Sequence, residues 1–302
     1  MVGYLLLLLL GTIWTFISVI AISGKRAGIS SPVFYFIGNA VASLCCLLCF
    51  LLPGMTMDDF TAPEKRTFLL CYIFGSVFNG LGQAVTMYNL KSGGRAIALA
   101  IPQMAFLIPF ICGIIFWDEP VNVIRVIGIF VIAAAVLAAG LCKKNAMEKN
   151  QWDNRRFCIA LLSVALLGLS QVMVVMAGYI CSGHELSNTT RTFFYMMVAA
   201  IFFGAISFFD IRQNGLPPRK SIKWGIIWGI IAPLSNMLLF YCLDLFARSN
   251  QSGIVYAVGA VLLMVGTCIY TRVFLKEKIT LLQYAGVAGM LVGLLMVRLG
   301  EI

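Results

Sequence analysis

Asn79 and Gln83 stand four residues apart in SVFNGLGQAV, which puts both carboxamides on one face of a helix. They belong to a scattered polar set inside otherwise apolar runs: Trp14, Ser18, Asn39, Gln103, Gln171, Ser235, Asn236, Tyr241 and Tyr256. Carboxamides, hydroxyls and ring faces suit a neutral polyhydroxy or zwitterionic solute. A cation site would want carboxylates or an aromatic cage, and an anion site would want Arg or Lys among these positions. Taken singly, each Asn or Gln could be interhelical glue worth about 0.6 to 2 kcal/mol. Taken together, so many amides would need buried partners that a shared polar cavity is the better reading.

Charges are rarer in these runs. Asp244 has Arg248 four residues on, the spacing of a helical ion pair, with a protonatable coupling role as the alternative. Arg191, near the start of another run, would snorkel to the interface or gate the cavity. His184, the only histidine, falls in the polar segment CSGHELSN and is expected to be solvated. The sequence has no HExxH, no GxGD with a second intramembrane Asp, and no Ser or Cys placed near a histidine, so no enzyme is expected. Cys45, Cys46 and Cys49 cluster without a His or carboxylate to complete a metal site and read as small packing residues. No cofactor or metal is expected.

The elements that hold these residues follow from composition. Of 302 residues, 61% are hydrophobic and only 11% charged, more apolar surface than a water-soluble globule can bury. A hydrocarbon core of about 30 Å needs roughly 20 apolar residues per helix, and lipid leaves no partner for open strand edges. Polar breaks delimit ten helical spans: 3–23, 31–52, 67–88, 95–116, 122–142, 157–180, 189–209, 223–246, 253–275 and 280–299. The first is expected to be a retained helix, since no basic leader or cleavage motif precedes it. Pro102, Pro109 and Pro233 should bend the fourth and eighth spans. GIIWG at 225–229 and GMLVG at 289–293 have the small-xxx-small spacing of close helix contacts.

The polar stretch 143–156 divides the chain into a first half, 1–142, and a second, 157–302. Phe116, Glu119 and Gly128 recur as Phe274, Glu277 and Gly286, all 158 residues on, and the same register places Gln83 over Tyr241. Each half holds five spans, so a copy of the first would enter the membrane from the opposite side. The expected fold is therefore an all-α integral membrane protein of ten transmembrane helices arranged as two inverted five-helix repeats. Placing the N-terminus outside puts sixteen of the 22 basic residues, including Lys25, Arg26, Lys143 and Lys144, in cytoplasmic loops. Both termini are then expected outside. Glu119 and Glu277 fall at hairpin tips between spans, where Pro120 and Thr280 open the following helices.

An acid at a hairpin tip followed by an apolar helix with Gly nine residues on, ending each of two five-helix halves, resembles the drug/metabolite transporter superfamily of ten-helix carriers. The EamA-type branch and the rhamnose or glucose/ribose sugar-porter branch are the nearest in layout. The small multidrug-resistance branch fits poorly, because its hallmark Glu is missing from LLLLLLGTIWTFISVIAIS. The resemblance implies a secondary-active carrier of the cell (inner or plasma) membrane that moves a small polar metabolite by alternating access. A sugar is favoured, then an amino acid. Export of amino acids or quaternary amines is the alternative, ahead of a channel. Expected partners are the solute, a proton or sodium ion if transport is coupled, and lipid; nucleic acid is not expected. Either a monomer or a homodimer is compatible. Trp14, Asn39, Asn79, Gln83, Gln103, Gln171, Asn236, Tyr241 and Tyr256 are the candidate binding residues, with Asp244 and Arg191 for coupling or gating.

Overall fold

The computed structural model describes residues 2–26, 29–51, 63–91, 101–141, 154–180, 186–276 and 280–300. His184, Glu277 and most of the 143–156 segment lie outside the described residues.

The helices are α1 (Val2–Arg26), α2 (Ser31–Leu51), α3 (Pro63–Lys91), α4 (Leu107–Phe116), α5 (Val123–Leu141), α6 (Asn154–Ile180), α7 (Asn188–Asn214), α8 (Arg219–Ala247), α9 (Gly253–Val273) and α10 (Leu281–Leu299). A 3₁₀ segment, Ile101–Phe106, runs directly into α4. The described residues contain no strand. Eight of the helices are long and apolar enough to cross a membrane, while Ile101–Phe116 and Val123–Ala138 are shorter apolar stretches. With about 2.0 Å per residue in the 3₁₀ segment and 1.5 Å in α4, the stretch from Ile101 to Phe116 rises about 27 Å, a little under the hydrocarbon thickness.

Differences from the expected spans have local causes. Helices α3, α7 and α8 run a turn or more beyond their apolar cores, because Lys65, Arg66, Arg212, Arg219 and Lys223 can stay helical in the polar interface. Pro102 does not bend an α-helix: it sits in the 3₁₀ segment, and Pro109 lies in the first turn of α4, where a missing N–H costs no intrahelical bond. Pro233 is the one that interrupts a helix interior, in α8. Thr280 caps α10 in a reciprocal capping box with Gln283, and Asn122 Oδ1 accepts from Ile124 N at 3.0 Å at the start of α5.

The outward surface is apolar, with Leu5, Leu9, Phe130, Phe208 and Leu295 among the large exposed side chains, as lipid contact requires. The main packing pairs are α5 with α10, α3 with α6, α2 with α7 and with α8, α1 with α8 and with α9, α3 with α7, and α6 with the 3₁₀–α4 unit. Two groups emerge, α3–α4–α6 and α1–α8–α9, flanked by α2, α7 and the α5–α10 pair. The α5–α10 crossing is nearly backbone to backbone: a methyl placed on Gly128 would lie 2.8 Å from the Gly293 carbonyl oxygen. GIIWG works similarly, since a methyl on Gly229 would meet the Gly38 carbonyl at 2.5 Å.

The bundle has two ends. At one, called here the terminal face, the start of α1 meets the ends of α8 and α10 through Tyr4, Phe246 and Arg298. At the other, the linker face, Asn89 near the end of α3 donates to the Arg156 carbonyl at the start of α6 at 3.2 Å. The largest apolar cluster lies toward the terminal face, where Leu7, Phe68, Tyr72, Phe110, Phe240, Phe246 and Ile254 pack together.

Candidate functional site

Trp14, Asn39, Asn79, Gln83, Gln103, Gln171, Asn236 and Tyr256 line one cavity of about 320 Å³ between the two helix groups. Their sequence separation disappears because each sits about midway along a different helix or on one shared inner face. Asn79 and Gln83 are one turn apart on α3, and Trp14 on α1 reaches the cavity beside Gly259, where a methyl would lie 2.4 Å from the indole. Ser235, also expected, lines it too; Ser18 does not.

The polar groups differ in how much freedom remains to them. Asn39 Nδ2 donates to the Tyr35 carbonyl at 2.7 Å, and Asn236 Nδ2 lies 3.7 Å from Met196 Sδ. Gln171 Oε1 is buried and has no hydrogen-bond partner among the described residues. A buried carbonyl left unpaired costs about 1–3 kcal/mol. A donor brought by a bound molecule would remove that cost. Among the lining residues none is Asp, Glu, Lys, Arg or His.

Four lining residues with a hydrogen-bonding side chain escaped the sequence reading: Tyr35, Ser170, Tyr195 and Trp228. Trp228 sits inside GIIWG, where the glycines drew attention and the ring between them did not. Tyr35 and Phe203 stack with ring centroids 5.3 Å apart, and Trp228 meets Tyr35 edge-on at 5.9 Å. Tyr195, held within hydrogen-bond reach of Ser170, lies in an aromatic run that gives no polar signal.

Tyr241 is not in this cavity. It is half-exposed and lines a separate pocket of about 300 Å³ with Arg191 and Asp244. The register that matched it to Gln83 does not bring it to the cavity side of α8. Two residues rotate a helical position by about 200°. Leu239, not Tyr241, faces the cavity.

The charged residues also differ from expectation. Asp244 pairs across helices with Arg191, 2.7 Å from Asp244 Oδ2, rather than resting on Arg248 alone. Arg191 neither snorkels nor reaches the cavity: its Nε donates to the Leu186 carbonyl at 2.7 Å and its guanidinium covers Phe68 at 4.8 Å. Tyr72 and Phe240, whose rings meet at 4.7 Å, lie between this pair and the cavity.

Glu119 departs furthest. It does lie at the hairpin tip between α4 and α5, yet it is 2% exposed. Arg125 donates to Oε2 at 3.0 Å; Tyr179 Oη and Gly253 N each donate to Oε1 at 2.9 Å. Ser252 Oγ lies 3.1 Å from Oε1 and 3.0 Å from Tyr179 Oη. Asp118 takes a positive φ of 49° to turn the acid inward, a conformation Asp tolerates. Gly113 leaves the room, since a methyl there would lie 2.7 Å from the carboxyl carbon. These partners come from α5, α6 and the start of α9. No sequence spacing brings them together.

Residues 154–299 match the EamA-like transporter family. The likeness to this transporter family lies in the second half of the chain. A solved structure titled only as the crystal structure of a protein is similar over 99% of this chain and 99% of its own, with a TM-score of 0.74 at 12% identity. That likeness speaks to the fold of all ten helices, beyond the EamA-matched half. No curated protein matches the chain. Among the described residues no cluster of His, Cys, Asp or Glu could hold a metal ion.

Proposed function

We propose that this EamA-type protein is a secondary-active carrier of a small neutral polar metabolite, with sugars ahead of amino acids, in the inner or plasma membrane. The carrying observation is the cavity lined by carboxamides, hydroxyls and aromatic rings with no formal charge among them. A charged solute entering it would lose its hydration without gaining an ion partner. A polyhydroxy ring would exchange hydration for the amides and stack its apolar face on Trp14, Tyr35 or Trp228.

In this reading α1–α5 and α6–α10 are inverted repeats, and the α3–α4–α6 and α1–α8–α9 groups rock around the bound solute. Exchanging the halves maps the packing pairs onto themselves: α1–α9 onto α6–α4, α1–α8 onto α6–α3, and α2–α8 onto α7–α3. Asp118 and Lys276, 158 residues apart, share positive φ values of 49° and 51° just before the two hairpin acids. The linker face carries Arg155, Arg156, Arg212, Arg219, Lys220 and Lys223, which supports a cytoplasmic linker with both termini outside.

A thermal-shift screen of the detergent-purified protein against sugars, amino acids, nucleosides and quaternary amines tests the reading. A ligand at 100 times its Kd stabilises its host by about 2.7 kcal/mol. A shift from a neutral solute that is lost in Gln83→Ala and Asn236→Ala supports it. Shifts from cationic amines alone would point instead to the ring faces as a cation site.

A further inference from the structure

We infer that Glu119 is the latch of the gate that closes the cavity at the terminal face. The inference rests on the alternating-access reading above and assigns the residues that must part when the carrier opens toward that face.

Three observations carry it. The first is placement. Glu119, Trp117 and Tyr179 belong to the α3–α4–α6 side, with the Trp117 and Tyr179 rings stacked 5.0 Å apart at an interplanar angle of 5°. Ser252 and Gly253 open α9 on the other side. The bonds of Ser252 and Gly253 to Glu119 and Tyr179 therefore join the two groups directly.

The second, among the described residues, is the position of the inter-group bonds. At the linker face, Ser23 Oγ lies 3.2 Å from Tyr270 Oη and Asn89 donates to the Arg156 carbonyl, and both contacts run within a group. Thr86 and Ser163, 3.2 Å apart, are likewise on one side. The inter-group bonds of the latch lie at the terminal face, beyond the aromatic layer of Tyr72, Phe240 and Tyr256.

The third is chemistry suited to repeated opening. Arg125 follows Glu119 on the same hairpin, and its second amino group donates to the Pro120 carbonyl at 2.6 Å. The ion pair can therefore travel with the α4–α5 tip as one body. Parting the groups breaks neutral donors from the carboxylate and strands no charge, which keeps the open state accessible. Gly253 is the tight point: a methyl there would lie 3.1 Å from Glu119 Oε2 and 3.1 Å from Phe110 Cα.

The test introduces Ala260→Cys, a cavity-lining position, into the otherwise native chain. Alkylation of residue 260 by a membrane-impermeant maleimide is read by peptide mass spectrometry from each face, using intact cells and inside-out vesicles. The parent should react from the linker face. Ser252→Ala, which removes one hydrogen bond to a charged group, should raise terminal-face labelling about tenfold and lower linker-face labelling, and Gly253→Ala, whose methyl crowds Glu119 Oε2, should shift both in the same direction. Gel filtration confirms that both variants remain folded; Ser252→Ala, the milder change, serves if Gly253→Ala does not fold. Labelling unchanged in the variants, or raised equally from both faces, overturns the latch and leaves the carrier reading intact. A parent cysteine that reacts from neither face overturns the carrier reading and the latch with it.

Discussion

Arg191 and Asp244 form an ion pair of 2.7 Å between α7 and α8, with the arginine side chain 3% exposed and the carboxylate 12%. Charges this far from water are held by each other and by the Leu186 carbonyl, not by solvent. Removing one of them should be worse than removing both. Asp244→Asn is expected to destabilise the protein by about 3 kcal/mol, whereas the double variant Arg191→Met, Asp244→Leu recovers most of the loss. Thermal unfolding in detergent measures the difference, and additive losses in the double variant would refute it.

Gln171 should separate stability from binding. Replacing it with Leu removes the unpaired buried carbonyl, so the solute-free protein should be unchanged or up to about 2 kcal/mol more stable. If Gln171 Oε1 accepts from the solute, the same variant should lose the ligand-induced shift in melting temperature. A variant that keeps the full shift would exclude Gln171 from the contact.

The α5–α10 crossing gives a packing test remote from the cavity. Gly128→Ala puts a methyl 2.8 Å from the Gly293 carbonyl oxygen, so the helices must separate. A loss of about 1–3 kcal/mol is expected, and Gly289→Ala, whose added methyl meets only Ala135 Cβ at 3.1 Å, should cost less.

The caps at the starts of α5 and α10 should behave alike. Thr280→Ala and Asn122→Ala each remove a side-chain acceptor from a helix start, at about 1 kcal/mol apiece. Chemical denaturation would read both.

The helices were legible because lipid enforces a simple rule: apolar runs broken by Lys, Arg, Pro and Gly delimit them to within a turn or two. The cavity was legible for a related reason. Asn79, Gln83 and Gln171 are conspicuous where carboxamides are costly, whereas Tyr195 and Trp228 hide among other rings that merely pack. Glu119 stands at the hairpin tip that local sequence marks, but its burial was hidden there, because it depends on Tyr179 and Ser252 from distant segments as well as on Arg125 of its own hairpin. Tyr241 failed for a smaller reason: it lies two residues beyond Leu239 on α8, about 200° around the helix from the cavity side.

The uncharged cavity wall also bears on energetics. Transmembrane voltage acts at about 2.3 kcal/mol per elementary charge per 100 mV. In the proposed cycle, a neutral solute in this cavity would cross without moving charge, and the Arg191–Asp244 and Arg125–Glu119 pairs would move, if at all, as balanced units. Membrane potential would then exert no pull on the solute-loaded protein, and voltage would enter net flux only through a coupled ion.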